Sequence, residues 1–303
     1  MNPAPHSSDG HQSGFVAIVG PPNAGKSTLL NRLLGQKISI TSTKPQTTRD
    51  RILGVLHRPG AQVVFIDTPG IHRARGPLNA RIVDAALAVL PDVDLVLCLV
   101  DAAYPDPPSE ELLVERLAAF AKPVVLALNK IDLMDKRDLL KRIQTWSQRR
   151  QFDAIIPISA TQGVQLEALV EAMLARLPEG PPFYPEDTLT DRPLRFLVAE
   201  IVREKVFRLT GAEIPYATAV TVETFQEGAQ DAPVSIHAVI HVERDSQKGI
   251  VIGQAGRKLK QIGASARQEI EELLERRVFL KLFVRVQKNW TRDTRALRNF
   301  GYE

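Results

Sequence analysis

The stretch Gly20-Pro21-Pro22-Asn23-Ala24-Gly25-Lys26-Ser27 constrains this chain more than any other. It follows the apolar run at residues 15–19 and precedes a leucine-patterned segment, 28–34, that reads as a helix. Strand, G-x-x-x-x-G-K-S and helix, in that order, make a phosphate-binding loop. Its glycines let the backbone wrap closely, so that successive N–H groups point inward at phosphate oxygens. The helix adds its N-terminus, with a partial positive charge. Gly20 to Ser27, with Thr28 just inside the helix, are therefore the expected phosphate-binding residues. Lys26 is expected at the terminal phosphates and Ser27 on a Mg2+ ion.

At 303 residues the chain is long enough for two domains. A hydrophobic content of 44% allows a sizeable core, and an aromatic content of only 6% leaves aliphatic side chains to fill it. No apolar run reaches the roughly 18 residues of a membrane span. Residues 1–13 are polar, lack the apolar centre of a signal peptide, and read as a disordered leader. A single cysteine, Cys98, excludes an intrachain disulfide and sits in an apolar run, which fits a reducing cytoplasm and a core role. Charge is uneven. Residues 1–190 carry 20 basic and 20 acidic side chains, whereas residues 191–303 carry 19 and 15. A basic second half suits an anionic partner, nucleic acid or a membrane surface.

Residues 41–50 are polar, without apolar period, and read as a loop. Two β-rich runs, 51–57 and 62–66, flank Arg58-Pro59-Gly60-Ala61 and suggest a hairpin. The second ends in Asp67-Thr68-Pro69-Gly70, where a metal-organising carboxylate belongs. Leu78, Ile82, Ala85, Ala86 and Val89 recur at helical spacing. Residues 95–100 and 124–128 are continuous apolar runs, as in buried parallel strands. Between them Ser109 reads as a helix cap. A helix is expected from about Lys136 to Arg150, a strand at 155–158 ending in Ser159-Ala160, and an amphipathic helix through Leu166, Leu169, Val170, Met173 and Leu177. Strands alternating with helices give an α/β domain with a mostly parallel sheet covered on both faces. Ligands bind such sheets at the carboxyl ends of the strands, where the loop, Asp67, Asn129 and Ser159 all fall.

Asn129-Lys130-Ile131-Asp132 points to guanine. Asn129 and Asp132 can hydrogen-bond the base, and a carboxylate accepts from a ring N–H and exocyclic amine that adenine does not offer together. Lys130 can lie over the ring, and Ser159-Ala160 can supply a backbone N–H to the guanine oxygen. An ATP-binding alternative is disfavoured by Asp132.

Four prolines at 178–185 read as a stiff linker. The expected organisation is a leader at 1–13, a nucleotide domain at 14–178, a linker at 179–190 and a second domain at 191–303. That second domain is smaller and α+β, in the order helix, strand, strand, helix, G-x-x-G, helix, strand. In its last strand Phe279, Lys281, Phe283 and Arg285 alternate with Leu280, Leu282 and Val284. A basic segment at 290–300 reads as helical.

The phosphate loop, a loop threonine, DxxG, NKxD and SA are together the signatures of translation-factor-class GTPases. Ile252-Gly253-Gln254-Ala255-Gly256-Arg257-Lys258, with its apolar lead-in, resembles the clamp of a KH RNA-binding domain, here of type II. A GTPase domain followed by a KH domain, with Pro45-Gln46-Thr47-Thr48-Arg49-Asp50 and Asn289-Trp290, is similar to the bacterial Era GTPases across residues 14–303. That resemblance implies hydrolysis of GTP to GDP and phosphate. It implies Mg2+ held by Ser27, by Thr48 in preference to Thr47, and by Asp67 through water. Gly70 would donate its N–H to the γ-phosphate, and the 41–50 loop would order and relax with the nucleotide. Many GTPases orient water with a glutamine after DxxG. Here Ile71 stands there, so slow intrinsic turnover is expected, with Asn23 holding a potassium ion in compensation. The catalytic set expected is thus Asn23, Lys26, Thr48, Asp67 and Gly70. In the KH domain, residues 252–258 would clamp single-stranded RNA. By resemblance that RNA is the 3′ end of 16S rRNA, the role is maturation of the 30S ribosomal subunit, and the protein is a cytoplasmic monomer with peripheral association to the inner membrane face. The alternative is a constitutive RNA-binding assembly protein whose nucleotide domain is structural.

Overall fold

A computed structural model describes residues 10–41, 51–72, 83–84, 86–211, 214, 218–229, 232–293 and 300. These form two compact units: 10–38 with 51–191, and 39–41 with the described residues from 192 onward.

The first unit is built on a six-stranded sheet in the order β2-β3-β1-β4-β5-β6. Its strands are β1 (Gln12–Val19), β2 (Ile52–Arg58), β3 (Ala61–Asp67), β4 (Leu95–Asp101), β5 (Val124–Asn129) and β6 (Ala154–Pro157). Only β2 runs antiparallel, joined to β3 by a two-residue turn at Pro59-Gly60 in which Gly60 takes φ 70°. The unbroken apolar runs of β4 and β5 are buried at every position, because helices cover both faces. On one face Val96, Cys98, Val124 and Leu126 share a core with Leu113 and Leu117 of α2 (Pro107–Leu117) and Trp146 of α3 (Lys136–Arg149). On the other, α1 (Lys26–Leu34) and α4 (Leu166–Leu174) bury Leu29, Leu30, Leu169, Val170 and Met173.

Several local expectations shift. The first strand begins at Gln12, two residues inside the expected leader, with its N–H donated to the Gly60 carbonyl. Residues 1–9 lie outside the described residues. Helix α2 is capped by Asp106, not Ser109. Pro107 fixes the first helical position, and the Ser109 hydroxyl donates to the Asp106 carboxylate at 2.6 Å. Of the helix expected before Pro91, residues 83–84 and 86–88 are helical; Leu78, Ile82 and Ala85 lie outside the described residues.

The proline-rich stretch is no free linker. Gln62, 1% exposed, accepts the Phe183 and Tyr184 N–H groups at 2.7 and 3.0 Å and donates to the Tyr184 carbonyl at 2.8 Å. Further on, Val55 donates its N–H to Leu189, and the Thr190 hydroxyl donates to the Leu53 carbonyl. The strap thus satisfies backbone groups of β2, the strand at the open edge of the sheet.

The second unit has α5 (Leu194–Leu209), β7 (Ala219–Gln226), β8 (Val234–Val242), α6 (Asp245–Ile252), α7 (Arg257–Leu274) and β9 (Val278–Val286). Its sheet runs β7-β8-β9, with the first pair antiparallel and the second parallel. Val198, Val202 and Val206 of α5 and Ile262, Ala266 and Ile270 of α7 pack on Ile236, Ala238 and Ile240 of β8. After β9, Trp290–Arg292 form a single 3-10 turn, where a longer helix is expected; residues 294–299 lie outside the described residues.

Candidate functional site

The carboxyl ends of β1, β3, β4, β5 and β6 carry the first unit's polar side chains. Between β1 and α1 the chain turns through Asn23 at φ 61° and Gly25 at φ 101°. A side chain at Gly25 would stand 2.3 Å from Asn129 Nδ2, and one at Gly20 1.9 Å from the Leu99 carbonyl oxygen. Both glycines are therefore required by close contact, and Gly25 by its backbone as well. Pro21, Pro22 and Ala24 complete the loop, and Thr28 lies in the first turn of α1. The Lys26 ammonium donates to the Gly20 and Pro21 carbonyls at 3.0 and 2.9 Å. Burial lowers its pKa to about 8, against a partial upward pull from Asp67. A desolvated cation at a helix N-terminus is a strong receptor for phosphate.

Ser27 Oγ donates to Asp67 Oδ2 at 2.8 Å, and Asp67 is fully buried. A hydroxyl and a carboxylate side by side are hard oxygen donors that suit Mg2+. Thr47 and Thr48, weighed as the loop ligand, lie outside the described residues. The motif after β3 is tied to the phosphate loop. Thr68 Oγ1 donates to the Ile18 carbonyl at 2.8 Å, and Ile71 donates its N–H to Gly20 at 3.0 Å. Pro69 leads into Gly70, where a Cβ would come within 2.9 Å of Pro22, so only glycine lets the two loops meet. The Ile71 side chain is fully buried in the core with Ala17, Val19 and Val96.

Asn129, 2% exposed, spans three loops. Its Nδ2 donates to the Ala24 carbonyl at 2.8 Å and its Oδ1 accepts the Ala160 N–H at 3.0 Å. The Ser159 N–H goes to the Val164 carbonyl at 3.2 Å. Both N–H groups expected to reach a guanine oxygen thus have partners within the protein, which a bound base would share. Asp132 is exposed on a 3-10 turn, open to a ligand.

One site residue escapes sequence reasoning. Asp101 ends β4 directly beside Asn129 and forms an ion pair with Lys130 at 2.5 Å, while its other oxygen accepts the Ala103 and Tyr104 N–H groups. This holds Lys130, whose backbone is left-handed at φ 65°, across the mouth of the site. The signal was available: an acid at the carboxyl end of a buried strand, the same that marks Asp67.

In the second unit, Gly253 (φ 70°), Ala255 (φ 49°) and Gly256 (φ 75°) make the turn between α6 and α7. A side chain at Gly253 would stand 2.7 Å from Lys258 Cβ. Gln254, Ala255 and Arg257 line the turn, with Ile252 and Lys258 half-buried beside them. Arg257 is hydrogen-bonded to the Gln254 side chain. The turn presents a bare backbone and two cations at a helix N-terminus, a fit for a phosphodiester strand.

Residues 15–130 match the family described as 50S ribosome-binding GTPase, and residues 213–291 match the KH domain. The GTPase Era of Geotalea uraniireducens is 56% identical over 96% of this chain and 98% of its own length. That of Lacticaseibacillus paracasei is 48% identical over 96% and 97%. Two solved structures each superpose with a TM-score of 0.91 at 43% identity, covering 96% of this chain and 99% of theirs. One is a point variant of Aquifex aeolicus Era bound to GDP and aluminium fluoride; the other is Era with MgGDPNP and nucleotides 1506–1542 of 16S ribosomal RNA.

Proposed function

This chain belongs to the Era family of GTPases, and we propose that it hydrolyses GTP to switch its grip on the 3′ end of 16S rRNA during 30S subunit assembly. The observation that carries the reading is the convergence of Lys26, the Ser27–Asp67 pair and Asn129 at the carboxyl ends of neighbouring strands. Residues 20–28 and 67–70 receive the phosphates; Asn129, Lys130 and Asp132 select guanine. Ser27 and Thr48 would hold Mg2+, with Asp67 acting through water, and the ion would neutralise phosphate charge. Lys26 stabilises the charge that develops as the terminal phosphate departs. Gly70, pressed against Pro22, directs its N–H to the γ-phosphate. Residues 252–258 hold single-stranded RNA. The 16S target rests on the solved complex of a relative, which contains that RNA. The protein acts as a cytoplasmic monomer. Among the described residues no helix is long and apolar enough to cross a membrane, so the peripheral membrane association expected by resemblance would be a surface contact.

Ile71 is buried and its side chain has no polar atom, so it orients no water. Asn23 would hold a K+ ion that supplies the missing charge, and turnover would be slow without it. The same burial favours the second reading, a constitutive RNA-binding protein with a structural nucleotide domain. Phosphate release from GTP, measured in potassium and in sodium with and without the 16S fragment, separates the two. Stimulation by potassium and by RNA is expected of the switch. No turnover under any of these conditions would overturn it.

A further inference from the structure

The two faces of the second unit's sheet differ sharply. Helices α5 and α7 cover one, and Leu280, Leu282 and Val284 of β9 pack half-buried against that core. On the other face β9 presents Phe279, Lys281, Phe283 and Arg285 in alternation, all exposed, with the two rings 58% and 42% accessible. Two phenylalanine rings thus stand bare on one strand face, four residues apart with a cation between them. The far end of this same face is closed by the chain itself: His241 meets Phe300 at 4.5 Å between ring centres, the rings tilted by 45°, and Trp290 is buried beside it.

Charge and ring geometry select the occupant. The Lys281 ammonium rests 5.1 Å from the centre of the Phe283 ring, and His237 meets the same ring edge-on at 6.3 Å. Arg285 lies next along the strand, paired with Glu223 of β7 at 3.1 Å. Among the described residues, those of β8 paired with this face, Ser235, His237, Val239 and His241, carry no carboxylate. Protein interfaces exclude lysine from their apolar centres, and here a lysine stands between the rings. Surfaces that bind single-stranded nucleic acid combine rings for bases with cations for the backbone. From Phe279 to Phe283 the strand rises about 13 Å, a span for bases splayed along an extended strand and not for one stacked pair.

We propose that the outer face of β9, through Phe279, Lys281, Phe283 and Arg285, is a second RNA-binding surface. It lies on the side of the sheet opposite the helices that carry the glycine clamp. It rests on the reading of this unit as an RNA binder. A single RNA engaged at both places gains affinity through effective concentration, and neither site alone need be tight.

The test uses the full chain with Mg2+ and GDPNP and a labelled transcript of 16S nucleotides 1506–1542, read by fluorescence anisotropy across a salt series. Phe279→Ser and Phe283→Ser are each expected to weaken binding by about 5- to 150-fold, the range of one stacked base. Lys281→Gln, which removes an exposed charge and leaves the core untouched, is expected to lower the salt slope by about 0.7. Photocrosslinking of a halogenated-uridine transcript is expected to label β9. If Gly253→Asp weakens binding while the β9 variants retain wild-type affinity and slope, the clamp reading stands and the second surface is refuted. Should Gly253→Asp also be without effect, the RNA reading of the whole unit falls, and the second surface with it. Normal RNA affinity with lost binding to intact 30S subunits would assign the face to a protein partner and overturn the proposal.

Discussion

The side-chain amide of Asn129 donates to the carbonyl of Ala24, 2.8 Å away and 105 residues earlier in the chain. With its oxygen on the Ala160 N–H, this one side chain sets the spacing between the phosphate loop and the loop after β6. Asn129→Ala leaves a buried carbonyl and a buried N–H unsatisfied, each worth about 1–3 kcal/mol. A loss of roughly 2–4 kcal/mol in urea unfolding is expected, together with loss of nucleotide binding. A variant that lost nucleotide at unchanged stability would show that Asn129 serves only the ligand.

Asp132 is the contrasting case. It is exposed and ends no buried network. Asp132→Asn is therefore expected to leave the unfolding midpoint unchanged while moving preference from GTP toward XTP, whose base offers an acceptor where guanine has an amine. Competition binding with both nucleotides measures it. Unchanged preference would reject the guanine assignment.

Much of this was legible because it is local or periodic. The unbroken apolar runs at 95–100 and 124–128 give buried parallel strands without knowledge of their neighbours, and the P-loop motif carries its own geometry. What the sequence hid depends on partners far along the chain. Nothing near Lys130 says that Asp101 will hold it, since strand pairing brings the two together. The proline run announces stiffness but not that β2 needs its hydrogen bonds. The alternation in β9 was plain, but which set of residues faces the core is decided only by where α5 and α7 lie. The cap moved from Ser109 to Asp106 because Pro107 is best placed at a first helical position.

Lys26 links site and stability through pH. Its pKa falls from 10.5 to about 8 through burial. Between those values the unfolded chain binds more protons, so stability rises with pH across roughly 8 to 10.5. Below pH 8 the full cost of burying the cation is present, on the order of 3 kcal/mol. In nucleotide-free protein Lys26→Met is thus expected to be more stable than wild type at pH 7, with the gap narrowing toward pH 10.5, and to bind no GTP. The Gly20 and Pro21 carbonyls that lose the ammonium still accept the Ile71 and Ala24 N–H groups. A pH-independent gap between the two proteins would contradict the assignment. GTP, by supplying counter-charge, is expected to raise the lysine pKa, so binding at pH 8.5 should take up protons, visible as buffer-dependent calorimetric heats.

His241 works at the acid end. Burial, aided by Arg285, lowers its pKa to about 4, and the ring is held by Thr221 at 2.9 Å and by Phe300. A histidine kept neutral in the fold loses stabilisation as pH falls from 6.5 toward 4, because the unfolded chain then takes the proton. Trp290 lies in the same cluster. Its fluorescence is expected to report loosening of the segment after β9 in that window, and His241→Phe to suppress the change. A transition that persists in the variant would place the titrating group elsewhere.

The strap at 179–190 offers a test in which local and global stability separate. Gln62 meets it with three hydrogen bonds from a nearly buried position, so Gln62→Leu keeps volume but removes every partner of Phe183 and Tyr184 on that side chain. If the strap stayed in place, the freed N–H and carbonyl groups would each cost about 1–3 kcal/mol. Peeling into water costs less, because Phe183 is already half exposed and its ring contact is with Phe15, 4.8 Å between ring centres. The chain is therefore expected to choose the local opening. Chymotrypsin, which cleaves after aromatic residues but not before proline, should cut Gln62→Leu after Phe183, Pro185 protecting the bond after Tyr184, about tenfold faster than wild type or more, with global stability lowered by no more than about 1–2 kcal/mol. Cleavage at the wild-type rate would mean that the strap is held without Gln62, by Gly180 on His11 at its start and by Thr188, Leu189 and Thr190 on β2 at its end.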